Sequence, residues 1–163
     1  MKKRFIAVIG NSNSGKSTII QSLTGCKNHS IRDWVIDKRE GNWLWVVCSS
    51  PQETPMSVNE LKRIIREAVG KAKCVGLIVA IQPNSPKSRL SMEDVFVAVD
   101  VSGAFENYAY VISKGYEGNS RSFAETQDRV HGVSRNTEVY EIDGRKFAFQ
   151  NASFIRASSE LAI

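Results

Sequence analysis

The sequence predicts a three-layer α/β domain: a mainly parallel central sheet, one antiparallel edge hairpin, and helices on both faces. Three observations predict it. Residues 5–9, 43–48 and 108–112 are apolar throughout, and 74–81 is interrupted only by Gly76. Strands apolar on both faces are buried on both faces, which requires helices above and below the sheet. The stretches between them carry serine caps followed by apolar residues at helical spacing. The 163 residues, 42% hydrophobic and 24% charged, contain no linker long enough to divide them, so 1–163 reads as a single domain.

Each element has its own signal. After the first strand, 5–9, comes a helix with Ile19, Ile20 and Leu23 apolar and Gly25 at its end. Residues 34–37 and 43–48 flank a polar turn containing Gly41 and read as the edge hairpin. Ser57-Val58-Asn59-Glu60 is a capping box, followed by Val58, Leu61, Ile65, Ala68 and Val69 on one face, with Gly70 as a left-handed stop. Ser91 to Gly103 repeats this design, with Met92, Val95, Val99 and Ser102 on one face, and Ser122 to Gly132 is a third case with Glu125 at N3. Residues 138–142 and 145–149 flank Asp143-Gly144, the preferred two-residue turn, and predict a second hairpin.

Composition excludes several classes. There is no short repeat and no apolar run near the ~20 residues of a membrane span. Met1-Lys2-Lys3-Arg4 is basic, but the short apolar run after it reaches Gly10 without a small-residue cleavage pattern, so no secretory signal is expected. Cys26, Cys48 and Cys74 lack CxxC spacing and read as reduced, buried thiols of a cytoplasmic protein. His29 and His131 stand in no metal or triad motif. The formal charge of +5 is compatible with a solvated surface, a phosphate-bearing ligand, an acidic membrane face or nucleic acid.

One motif is specific. Gly10-Asn11-Ser12-Asn13-Ser14-Gly15-Lys16-Ser17 is a complete GxxxxGK[ST] sequence, the Walker A signature, with a buried strand before it and a helix through Thr18 after it. Gly10 and Gly15 allow a tight turn and close approach. Successive amides and the helix N-terminus form a concave anion site. Lys16 supplies a point charge for the β- and γ-phosphates, and Ser17 a hydroxyl for Mg²⁺. Average glycine usage gives this motif by chance in well under about one chain in 50 of this length. The expected fold is therefore a three-layer P-loop NTPase fold, with residues 10–18 binding phosphate.

Beyond the motif, the chain resembles the small Ras-like, translation-factor-related GTPases in element order over most of its length. Residues 34–48 look like that family's second and third strands. Its Asp-x-x-Gly followed by Gln-Glu corresponds to Cys48-Ser49-Ser50-Pro51 followed by Gln52-Glu53. Its Asn-Lys-x-Asp guanine loop corresponds to Ser113-Lys114-Gly115-Tyr116, and its last weak motif to Ala157-Ser158-Ser159. The capped helix before the 74–81 strand also resembles AIG1-type GTPases. The resemblance implies that Gln52 orients an attacking water, that Lys114 packs along the base, and that a final helix is missing or replaced by the second hairpin. Glu117 stands one residue past the place of the guanine-reading aspartate, and Ser30 is the nearest hydroxyl to a switch threonine. Three departures weaken the chemistry. Cys48 is a poor Mg²⁺ ligand, Pro51 has no amide to give a γ-phosphate, and Tyr116 replaces the guanine-reading acid.

The expectation is Mg²⁺-dependent binding and slow hydrolysis of a purine nucleoside triphosphate, GTP/GDP or ATP/ADP. Lys16 and Gln52 would act in catalysis and Ser17 would hold the metal. The alternatives are a non-catalytic nucleotide-binding interaction module and, further off, a small-molecule or nucleotide kinase. Lys62, Arg63, Arg66, Lys71 and Lys73 make residues 57–73 basic on the outer side, a solvated face or a surface for a protein, nucleic-acid or membrane partner. Lys87 and Arg89 lie in a polar loop at the strand ends where phosphates would bind. Trp34, Trp43 and Trp45 read as core packing rather than as a base-stacking platform.

Overall fold

The computed structural model describes residues 2–26, 40–87, 89–116, 118 and 120–161, and the backbone of 34–37. In chain order the elements are β1 (Lys3–Ile9), α1 (Lys16–Thr24), β2 (Trp34–Asp37), β3 (Asn42–Val47), α2 (Val58–Gly70), β4 (Cys74–Ile81), α3 (Met92–Ser102), β5 (Phe105–Lys114), α4 (Phe123–Val133), β6 (Glu138–Asp143) and α5 (Ala148–Ser158). The sheet has the order β2-β3-β4-β1-β5-β6. The pairs β3–β4, β4–β1, β1–β5 and β5–β6 are parallel, whereas β2 runs antiparallel to β3 through Trp34↔Leu44 and Val35↔Trp43.

The alternation of each strand fills two cores. Phe5, Ala7 and Ile9 of β1 face Leu61 and Ile64 of α2, Val95 and Phe96 of α3, and Val130 of α4. Ile6 and Val8 face the other way, onto Ile19, Ile20 and Leu23 of α1 and Ala152 and Ile155 of α5. Both faces of β1 are fully buried, and each such aliphatic side chain contributes about 1.5–3 kcal/mol on burial. Trp45 and, partly buried, Trp43 belong to the first core, with their rings 5.7 Å apart. At the amino end of β1, the buried Arg4 donates to Ser159 O and to the carboxylates of Glu106 and Glu160, which ties the end of α5 to the sheet.

Two expectations are corrected. Residues 145–149 form no strand: the chain turns after β6 and enters α5. β6 pairs parallel to β5, so it has no returning neighbour. Gly144 lacks the positive φ that the favoured hairpin turn needs. Its own requirement is close approach, because a Cβ there would lie 2.7 Å from Ser14 O and 2.8 Å from Ile112 Cγ2. The missing final helix is therefore present as α5. The second correction is Gly70, which stays helical with an extended Lys71 after it, while Gly25 and Gly103 do take left-handed stops at φ 72° and 64°. Among the described residues, no helix is long and apolar enough to cross a membrane.

Candidate functional site

β1 and its neighbours β4 and β5 send their following helices to opposite faces of the sheet: α1 to one, α3 and α4 to the other. A crevice opens beyond strand carboxyl ends at such a reversal. Here it is a cleft of about 720 Å³, walled by residues 13–19 on one side and 144–148 on the other, with Glu53 and Tyr116 at its margin. That volume is in the range of small-molecule sites.

The loop 10–15 is held from within. Gly10 N continues the β1–β4 pairing by donating to Ile81 O at 3.0 Å, and Ser14 N donates to Asn11 O at 3.2 Å. A Cβ on Gly10 would sit 2.3 Å from Ser14 Oγ, so the loop closes only over glycine. Asn13 and Gly15 are left-handed, at φ 58° and 101°, on either side of Ser14. Turns of alternating hand point successive amides into one concavity. Ser14 Oγ is buried there without a hydrogen-bond partner among the described residues.

Lys16 opens α1 and is 4% exposed. Its Nζ donates to Gly10 O at 3.0 Å and Asn11 O at 2.8 Å, and Glu53 Oε1 stands 3.7 Å away. Burial pushes the Lys16 ammonium below its ordinary value, and the Glu53 carboxylate pulls partly the other way. Ser17 Oγ donates to Cys48 O at 3.1 Å, which places the end of β3 beside the helix start. Cys48 is a buried thiol raised chiefly by burial.

The helix starts differ by face. α2, α3 and α4 begin with Ser57, Ser91 and Ser122, each accepting from the N3 amide, and each has an acid in its first turn. α1 and α5 begin with Gly15 and Phe147, with no side-chain cap and no first-turn acid. Both of these starts line the cleft, together with Lys16, Arg145 and Lys146. The cleft is thus lined by two helix N-termini without side-chain caps and by three cations, of which Arg145 is paired with Asp143 and Lys16 stands near Glu53.

The other sequence-predicted residues take different places. Gln52 is buried and does not line the cleft: its Nε2 donates to Leu90 O at 2.7 Å and its Oε1 accepts from Gln82 N at 3.0 Å. Both ends of its amide thus clamp the turn after β3 against the end of β4. Pro51 lies in that turn, where Ser50 O accepts from Glu53 N and Thr54 N. Arg89 donates to Gln52 O and Glu53 O, so its charge steadies the segment that carries Glu53. Lys114 and Asp143 lie in an adjoining depression of about 460 Å³. The Lys114 carbonyl accepts from Gly144 N at 2.8 Å. Ala157-Ser158-Ser159 is remote: Ser158 Oγ pairs with Tyr110 Oη at 2.7 Å and Ser159 O accepts from Arg4. Lys62, Arg63, Arg66, Lys71 and Lys73 are exposed and line no part of the cleft, and neither does Lys87. Ser30, His29, Glu117 and the Trp34 side chain lie outside the described residues.

Sequence reasoning missed Glu53 and the whole 144–148 wall. The wall was hidden because Phe147 and Phe149 alternate with Lys146 and Ala148, which imitates a strand, and α5 buries only Asn151, Ala152 and Ile155. Three cations or aromatics in a row after Asp-Gly was the available signal.

No protein-family model matches the chain, and no curated protein is significantly similar to it. The chain is similar to a solved structure described as "Crystal structure of APE1195", at 16% identity and a TM-score of 0.50, over 99% of this chain and 97% of that one. At that identity the likeness concerns the fold alone.

Proposed function

We propose that the chain is a P-loop protein that binds the triphosphate of a purine nucleotide, GTP or ATP, with Mg²⁺. The observation that carries this reading is the buried Lys16 ammonium, held by two neutral carbonyls at the start of an uncapped helix in a cation-lined cleft. A buried ammonium is costly unless something compensates it. Glu53 at 3.7 Å does so only partly, and a phosphate would complete it.

In this reading the amides of residues 13–18 and Lys16 hold the phosphates, while Lys146 adds charge from the facing wall. The donor set fits Mg²⁺, which is commonly bound by one or two carboxylates together with substrate phosphates. Ser17 donates its proton to Cys48 O, which turns its lone pairs to other partners, and Glu53 is the only carboxylate among the described residues lining the cleft. The buried Cys48 thiol is unsuited to this hard cation. Bound Mg²⁺ would neutralise phosphate charge.

Slow hydrolysis remains part of the proposal, with the phosphate charge neutralised by Lys16 and bound Mg²⁺ rather than the water oriented by Gln52. The non-catalytic reading has one specific observation in its favour: the Gln52 amide is fully engaged with backbone. Calorimetry with GTP, GDP, ATP and ADP, with and without Mg²⁺, tests binding, and phosphate release tests turnover. The expected result is binding of the triphosphates strengthened by Mg²⁺. No binding of any of the four would end the proposal, and binding without release would select the non-catalytic form.

A further inference from the structure

We infer that the wall 144–148 holds the nucleobase by stacking it on an aromatic face, so that the site accepts adenine and guanine alike. This rests on the nucleotide reading above and deepens it. Phe147 lines the cleft as the N-cap of α5 and is 72% exposed. Its ring stacks on that of Phe149, itself 61% exposed, at 5.8 Å between centroids and 13° between planes. Tyr116, 73% exposed, also lines the cleft, its amide donating to Ser14 O at 3.4 Å. Leaving large aromatic surfaces in water is unfavourable, and a flat apolar ligand would remove that exposure.

No described residue at this end presents a free carboxylate to a guanine edge. Among the described residues lining the cleft, Glu53 is the only carboxylate, and it stands beside Lys16 at the phosphate end. Asp143, next to the wall, has both oxygens engaged by the Arg145 guanidinium, at 3.0 Å and 2.8 Å. Stacking without an edge reader tolerates any base, because every base has a π-face. The flat stacked pair therefore supplies affinity, and the phosphate cradle supplies position.

The test compares ATP, GTP and inorganic tripolyphosphate on the full chain with Mg²⁺, using wild type and Phe147→Ala. At 72% exposure, this substitution leaves the core intact. Wild type is expected to bind ATP and GTP within about tenfold of each other, and both more tightly than tripolyphosphate. Phe147→Ala should weaken both nucleotides by roughly 5- to 100-fold, the range of a lost base stack, and leave tripolyphosphate unchanged. Phe147→Trp should restore the nucleotides. Unchanged nucleotide affinity in Phe147→Ala, or a preference for GTP above about 100-fold, overturns the inference. If tripolyphosphate binds and neither nucleotide binds more tightly, the base platform alone fails. If none of the three binds, the phosphate cradle fails and the inference falls with it.

Discussion

The two faces of the sheet carry helices that start in opposite ways. On one face, α2, α3 and α4 are closed by Ser57, Ser91 and Ser122, and their first turns hold Glu60, Glu93, Asp94 and Glu125. The α3 start is a complete reciprocal box between Ser91 and Asp94. On the other face, α1 and α5 start open and without acids, at the cleft. A serine cap or an N-terminal acid stabilises a helix by about 0.3–2 kcal/mol. Its absence from both helices at one cleft leaves donors and positive potential directed at the same space. The closed starts satisfy their own donors, and the open ones leave theirs unsatisfied at the cleft.

The largest test of that contrast sets Lys16→Ala against Ser91→Ala. Lys16→Ala should lower nucleoside triphosphate affinity by at least ~100-fold, near 3 kcal/mol, because a desolvated charge contact is lost. Its thermal stability should stay within about 1 kcal/mol, since a costly buried ammonium goes with its bonds. Ser91→Ala should do the reverse, costing about 1 kcal/mol in denaturant unfolding with nucleotide affinity unchanged. Loss of affinity in Ser91→Ala, or full affinity in Lys16→Ala, would break the division between the two faces.

A smaller effect is expected from closing an open start. Ala148→Glu puts an acid in the first turn of α5. It should raise the stability of the ligand-free protein by a few tenths to about 1 kcal/mol and weaken triphosphate binding measured in the same buffer. Gain in both would mean that the α5 start does not face the ligand.

The smallest effect is a pH dependence. Burial lowers the Lys16 ammonium from its ordinary value of 10.5. Between that lowered value and 10.5 the unfolded chain binds more protons than the folded one, so Lys16 makes stability rise with pH across this window. Triphosphate affinity should fall over the same window as the ammonium discharges. Lys16→Met should flatten both trends in parallel unfolding and calorimetric titrations, and a wild-type trend that survives in Lys16→Met would assign it to another group.

Much of this was legible in the sequence, for local reasons. The strand of residues 74–81 was readable residue for residue because a run buried on both faces is apolar throughout, and 34–37 because it and the next strand flank a polar turn containing Gly41. The serine caps were readable because a cap is a contact over three residues. The left-handed Gly15 and the close approach at Gly10 were readable because GxxxxGK[ST] places glycines where backbone freedom is needed. Gln52 was misleading: its neighbourhood in sequence suggested a free amide, whereas the amide is spent on Leu90 and Gln82, which are 38 and 30 residues away.

The sequence by itself determined the layers, the capped helices and the tight loop 10–15, since each rests on contacts between near neighbours in the chain. Only the tertiary structure decided that Gly144 packs on Ser14, that Glu53 reaches Lys16, and that Arg145, Lys146 and Phe147 face the loop instead of forming a hairpin. Those contacts span 37 to more than 100 residues, and those of the 144–148 wall depend on β6 lying parallel to β5. That strand direction follows from where the chain buries α5, against α1, and not from any local turn preference.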